Sequence, residues 1–418
     1  MIDPMPDVSI SGEARHALVL SGGGARGAYE IGVLKALLEG ASPATGGWPP
    51  DLRIFTGTSV GAYNAAFLAQ QTSVGLEAVG LRERIWRERI ANTEESCGNG
   101  VYRLRADPFR AFDPGCLRNP LQLLADLGRD AAFWGGYALS YGAQLLTADE
   151  PFRVRILESF NLGALFSRSP LEALVAETLD LGRLRASGNA LFVATSDWKN
   201  GVPKVLDKTD VTDRLGTAAI LASVAIPGVF PPVDLDGTPC VDGALFMNTP
   251  LLPAIRAGAN VLHIIYLDPQ VIELAFPELP NTLDTFYRFY DIVLASNTRS
   301  DIGSAAAINA EMALLASVGV ITESGRSLEE ASPFRLRRVS RVVERIAQGR
   351  PYRPLEIHRY RPKTDLGGVA GFLDFRAGFI AELIEQGYQD ALHHDCAEAR
   401  CVFAPPMAPR PEAEEFPA

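Results

Sequence analysis

Cysteine and lysine are both sparse in this chain, and neither shortage points to a cofactor or a polyanion. The five cysteines, Cys97, Cys116, Cys240, Cys396 and Cys401, form an odd number with no CxxC pair and no metal-like spacing. That pattern argues against a disulfide framework, so the five are expected to be ordinary thiols in a reducing compartment. Lysine occurs only at Lys35, Lys199, Lys204, Lys208 and Lys363, and the basic residues are otherwise arginine. A formal net charge of -11 excludes a dedicated nucleic-acid binder, which needs a concentrated positive surface. The opening MIDPMPDVSISGEAR has neither a cationic start nor an apolar stretch, so no secretory signal is expected and a cytoplasmic location is.

Long apolar runs are also missing. Ala131 to Ala148 and Leu215 to Val233 are uncharged, but Gly135, Gly136, Ser140, Gly142 and Gln144 interrupt the first. Pro227, Pro231 and Pro232 break the second, so both are expected to be core segments rather than membrane spans. With 47% hydrophobic and 21% charged residues, the chain can build a sizeable core.

What is present is an alternation of strands and helices. His16 to Leu20 reads as an apolar strand, Ser21 to Gly27 as a glycine turn, and the next segment as a helix with Ala28, Ile31, Leu34 and Leu38 on one face. Leu52 to Thr56 repeats the plan, with GTSVG as the turn and Ala62 to Gln70 as a small-residue helix. Two such units in succession predict a parallel sheet covered by helices, an α/β fold. Further strands are expected at Ala190 to Thr195, Val202 to Leu206 and Val261 to Leu267, with helices near Thr212 to Ser223 and Leu251 to Ala257.

The expected organisation is a flexible lead-in over 1–14 and an α/β domain over 15–270 carrying a helical insertion at about 81–185. A mainly helical extension over 271–403 and a Pro- and Glu-rich tail over 404–418 complete it. The extension includes a helical stretch over Leu283 to Leu315. It also includes an amphipathic helix marked by Phe379, Ile380, Leu383, Ile384, Tyr388, Ala391 and Leu392.

Gly57-Thr58-Ser59-Val60-Gly61 fits G-x-S-x-G, whose sharp strand-to-helix turn needs small neighbours to push the serine oxygen outwards. Such a nucleophile needs a base and donors for an oxyanion. Gly22-Gly23-Gly24-Ala25-Arg26-Gly27 can supply the donors, because glycine backbone lets N–H groups turn toward one point beside a helix N-terminus. The same six residues satisfy G-x-G-x-x-G. A dinucleotide site, however, wants an acid at the end of the second strand, and Asp51 lies before that strand.

His16, His263, His358, His393 and His394 offer no order matching a Ser-His-Asp triad and are read as structural. An aspartate must then be considered as the base, and Asp197, Asp242 and Asp268 all stand at strand ends or turns. Only Gly243, which permits a close approach beside Asp242, tilts the choice.

These residues resemble the patatin-like phospholipase family. Its glycine-rich loop is similar to Gly22 through Gly27, its elbow to Gly57 through Gly61, and its D-G-[GA] motif to Asp242-Gly243-Ala244. Ala222 to Pro227 leading into Phe230-Pro231-Pro232 is a fourth similarity, and Asn248 and Pro250 fall where the family often carries a polar residue and a proline. The resemblance implies a three-layer α/β/α fold with a mainly parallel central sheet and a Ser59–Asp242 dyad. It further implies an oxyanion loop of Gly22, Gly23, Gly24, Arg26 and Gly27, no metal or cofactor, and hydrolysis of lipid acyl esters.

A lipid hydrolase must also meet an interface. Ser332 to Arg353 places Leu336, Val339, Val343 and Ile346 on one helical face with Arg337, Arg338, Arg341 and Arg345 around it. Such a helix suits peripheral contact with an anionic membrane, although a surface helix packed on the core with a solvated basic face is the commoner use of this pattern. Two rival functions remain at this stage: a scaffold that keeps the fold without turnover, and a nucleotide-binding enzyme. Oligomeric state and head-group preference are not encoded legibly.

Overall fold

Alternate residues of the first strand face opposite ways, and that alternation sets the layering. The computed structural model describes residues 14–105, 107–147, 162–267 and 355–403, with isolated positions between 285 and 310. In strand β1 (His16–Leu20), Leu18 and Leu20 join one buried cluster with Phe55, Ile31, Leu34 and Phe67. Ala17 and Val19 join a second with Ile54, Leu251, Ile255, Leu262 and Ile357. Two cores on the two faces of one sheet make a three-layer α/β/α arrangement.

The strands are β2 (Leu52–Thr58), a short β3 (Arg103–Leu104) and β4 (Phe166–Ser167), β5 (Ala190–Asp197) and β6 (Val202–Asp207). They are followed by β7 (Val233–Leu235), β8 (Thr238–Asp242), β9 (Val261–Ile265) and β10 (Glu356–Tyr360). The main sheet runs β10-β9-β1-β2-β5-β8-β7, with β6 also paired to β5. The five strands from β10 to β5 are mutually parallel, whereas β6 and β8 pair antiparallel to β5 and β7 antiparallel to β8. The β7–β8 hairpin was not foreseen, because proline and glycine around Phe230 to Pro239 hide two short strands.

Helices α1 (Ala28–Leu38) and α2 (Val60–Ala69) follow β1 and β2 and pack on the same face. The last helix, Ala377–Leu392, lies against α1 so closely that a Cβ on Gly32 would overlap the Ile384 carbonyl.

Two expectations need correction. The sheet does not close near residue 270: β10 adds a parallel strand beside β9 from a segment that reads as part of a helical extension. Glu356 to Tyr360 is a short, mixed polar and apolar stretch with no strand-like alternation, and its main partner is the distant strand β9. Nor are all cysteines thiols, since Cys97 and Cys116 form a disulfide across a separation of 19 residues. Counting cysteines could not show this, because the insertion folds 96–100 against 113–117, with Gly115 packed on the Ser96 carbonyl.

No helix among the described residues is long and apolar enough to cross a membrane. The first uncharged run falls mainly in the helix Pro120–Thr147, and the second spans the helix Ala218–Ser223 and the loop after it. The stretches expected to be helical at Leu283 to Leu315 and Ser332 to Arg353, and also Asp268, lie almost wholly outside the described residues.

Candidate active site

Sheet register brings the two most telling motifs together. Thr58 at the end of β2 stands opposite Ala194 of β5, so Ser59 emerges one row beyond it. On the other side of β5, Thr195 stands opposite Asp242 at the end of β8. Ser59 and Asp242 therefore flank β5 at one level. The glycine loop leaves β1 at the same edge, since Leu20 pairs with Gly57. All three motifs thus gather where the parallel strands end, the place at which open α/β sheets bind ligands.

The turn at Ser59 is strained. Its φ of 55° and ψ of -127° lie outside the regions ordinary residues prefer, a conformation worth on the order of 1–3 kcal/mol that surrounding structure must hold. Gly61 shows why the flanks are small, because a Cβ there would stand 2.6 Å from the Leu20 carbonyl oxygen. The Ser59 N–H donates to Ser223 Oγ at 2.9 Å, and that hydroxyl donates onward to Ala194 O at 2.7 Å.

Asp242 is buried to 1% exposure, and the neighbouring Ser59 side chain favours the charged form of its carboxyl. The carboxylate accepts from the Ala244 N–H at 2.9 Å. Burial disfavours its charge and pushes the carboxyl up to about 7, against the stabilising pull of Ser59 and Ala244. Its backbone is pinned by Ser196 Oγ, which donates to Asp242 O at 2.8 Å. Gly243 packs its Cα on the Ala194 carbonyl and leaves no room for a Cβ, the close approach foreseen from sequence.

The glycine loop divides its labour. The Gly22 N–H donates to Asn248 Oδ1 at 3.0 Å, which anchors the loop, while its Cα faces Ser59 Cβ. Among the described residues, the N–H groups of Gly23 and Gly24 have no hydrogen-bond partner. Gly24 has a φ of 58°, and a Cβ there would collide with the Phe372 carbonyl, so only glycine fits. Gly27 packs against Val60. The buried Arg26 guanidinium donates to Gly368 O at 2.5 Å and ties the loop to the C-terminal segment.

Beneath the loop lies a buried polar network that sequence reading missed. Asn64 Nδ2 donates to Glu30 Oε2 at 2.7 Å and to Gly27 O at 3.2 Å. Asn64 Oδ1 accepts from Arg82 Nε at 2.8 Å and Trp86 Nε1 at 3.1 Å. Burial holds the Glu30 carboxyl well above its ordinary range. The signal was a lone Glu and a lone Asn inside largely apolar helices, AYEIGVLKALL, whose other charge is Lys35, and VGAYNAAFLA.

Other candidates fall away from this site. Asp197 is a turn residue accepting from the backbone of Lys199 and Asn200 at 2.9 Å each. No histidine hydrogen-bonds to Ser59 or Asp242 among the described residues. His16 and His263 bond to each other at 3.2 Å, and His358 pairs with Glu356.

The sequence matches the family model described as Patatin-like phospholipase over residues 18–255. It is 39% identical over 76 residues to patatin-like phospholipase domain-containing protein 7 of Rattus norvegicus, a stretch covering 18% of this chain and 5% of that protein. This chain thus spans only a small part of that relative's length. Among solved structures it is similar to VipD from Legionella pneumophila, with 15% identity, a TM-score of 0.37, and coverage of 91% of this chain and 66% of that one. With the family model covering more than half of its length, and with a mixed sheet flanked by helices on both faces, this chain belongs to the patatin-like phospholipase family.

Proposed function

We propose that this protein is a lipid acyl hydrolase of the phospholipase A, lysophospholipase or esterase type, with Ser59 as nucleophile and Asp242 as its proton-transfer partner. One observation supports this reading above the rest: a serine held in a strained elbow and a carboxylate buried to 1% exposure flank strand β5 at one level. As Ser59 Oγ attacks the ester carbonyl carbon, its proton passes to Asp242. The oxyanion is met by N–H groups of Gly23 and Gly24, and the start of α1 adds positive potential. Collapse expels the alcohol, which takes the proton from Asp242. Water then attacks the acyl-serine, gives its proton to Asp242, and frees the carboxylic acid as Ser59 regains its hydrogen.

An aspartate in water is a weak base, and burial is what brings this one near neutrality. Ser59→Ala and Asp242→Asn are each expected to lower hydrolysis of a short acyl ester by at least about a thousandfold, and a fluorophosphonate should label Ser59 in the parent. Retention of activity within about tenfold in either variant would overturn the dyad. Absent labelling and absent turnover in the parent would favour the scaffold reading.

The substrate class also has a structural counterpart. Phe109 and Phe112, inside the loop closed by the Cys97–Cys116 disulfide, are 77% and 81% exposed, and Leu121 and Leu124 on the following helix are 78% and 65% exposed. Large apolar side chains left in water mark a surface that meets apolar matter. We assign these residues to contact with the lipid interface.

A further inference from the structure

A second convergence of side chains lies at the opposite edge of the sheet, three strands from β2. His358 sits on β10, and His394, Cys396 and Cys401 sit in the turn that follows the last helix. One ligand-type atom from each of the four lies within 4.8 Å of all the others. Cys396 Sγ is 3.6 Å from His358 Nδ1 and 3.4 Å from His394 Nε2, and Cys401 Sγ is 3.4 Å from the same Nε2. Neither cysteine is in a disulfide. Both histidines are buried.

These separations match one ion's requirements. With Zn–S of about 2.3 Å and Zn–N of about 2.0–2.1 Å, adjacent sulfur and nitrogen ligands of a tetrahedral zinc stand about 3.6 Å apart. Two thiolates and two imidazoles in that shape form the donor set that favours zinc over harder cations. We propose that His358, His394, Cys396 and Cys401 form a tetrahedral zinc site that clasps the C-terminal turn onto the edge strand β10.

Three features outside the four ligands fit this assignment. Glu356 Oε1 lies 2.9 Å from His358 Nε2, so that nitrogen carries the proton and Nδ1 turns its lone pair toward the thiols. A carboxylate behind a histidine is the usual way a ligating imidazole is oriented. The Arg359 N–H donates to Cys401 Sγ at 3.3 Å, a bond that favours thiolate. Backbone bonds already hold the turn in place: Ile357 N donates to Val402 O at 2.7 Å, Val402 N to Ile357 O at 3.0 Å, and Cys401 N to Cys396 O at 2.9 Å.

On binding, the two thiols release their protons to solvent, and the four protein ligands leave no open position. The site is therefore structural rather than catalytic. It covers the outer edge of β10, which would otherwise present unpaired backbone. Spacing in the chain hides it, because His358 is 38 residues from Cys396.

The full chain, expressed with zinc in the medium and purified without chelator, should contain about one zinc per chain by elemental mass spectrometry. Ser59→Ala should keep the metal and C396S/C401S should lose it, which separates this site from the proposed dyad. Because the double variant can fail to fold, cobalt is titrated into the metal-stripped parent. Intense d–d absorption with a sulfur-to-cobalt charge-transfer band is expected, and a mercurial should discharge the metal. Zinc below about 0.1 per chain, the weak spectrum of six-coordinate cobalt, or an intact mass showing a Cys396–Cys401 disulfide would each overturn the assignment.

Discussion

The Ser223 hydroxyl accepts the Ser59 backbone N–H at 2.9 Å and so holds the strained elbow from the far side of the sheet edge. Because Ser223 also donates to Ala194 O, one hydroxyl joins the elbow to the central strand β5. Ser223→Ala would leave both buried backbone groups without this partner, worth about 1–3 kcal/mol of stability. A displaced nucleophile should also lower kcat by about tenfold or more with little change in KM. Thermal melting and steady-state kinetics on a soluble ester check the two effects separately.

The raised Asp242 carboxyl gives the proposed mechanism a pH signature. With Asp242 as the proposed base, which must be ionised to work, kcat/KM should rise with unit slope below about pH 7 and level off above it. Stability runs the other way. Between its ordinary value and about 7 the native group holds a proton that the unfolded group has lost, so stability falls as pH rises through that window. The loss is about 1.4 kcal/mol for each pH unit spanned. Asp242→Asn should therefore melt higher than the parent at pH 8 and alike at pH 4. An unchanged difference between the two pH values would count against a buried, titrating carboxyl.

Asn64 is the hub under the glycine loop. Asn64→Leu would deprive Glu30, Arg82, Trp86 and the Gly27 carbonyl of a shared partner in a buried setting. Breaking such a network is expected to destabilise the protein by roughly 3 kcal/mol, readable from urea unfolding midpoints at constant slope.

If Phe109 and Phe112 meet the lipid surface, F109S/F112S should hydrolyse a soluble short-chain ester as the parent does. Its turnover of phospholipid vesicles should fall by at least about tenfold, with less protein co-sedimenting. Equal loss on both substrates would point to misfolding, and equal retention to an interface elsewhere.

Much of this was legible along the chain because the relevant signals are local. Strand, turn and small-residue helix follow one another within about thirty residues in each of the first two units, and the flanks of Ser59 must be glycine wherever such an elbow forms. The two strand–turn–helix units in succession already implied a parallel sheet covered by helices. The lone Glu30 and Asn64 were visible as well, but their meaning depends on α1 and α2 lying side by side.

Other features are contacts between distant segments, and no window of sequence contains them. Gly243 and the family resemblance single out Asp242 in the sequence, but only register sets it beside β5 on the side opposite Ser59. Strand β10, the Cys97–Cys116 bond and the gathering of His358 with Cys396 and Cys401 likewise arise only once chain direction and strand order are set. The amino-acid order by itself determined which residues are capable of the chemistry, because backbone strain, burial preference and side-chain type are properties of short stretches. Which of them meet was decided by tertiary structure, because hydrogen bonds and ligand sets act over a few ångströms and are indifferent to separation along the chain.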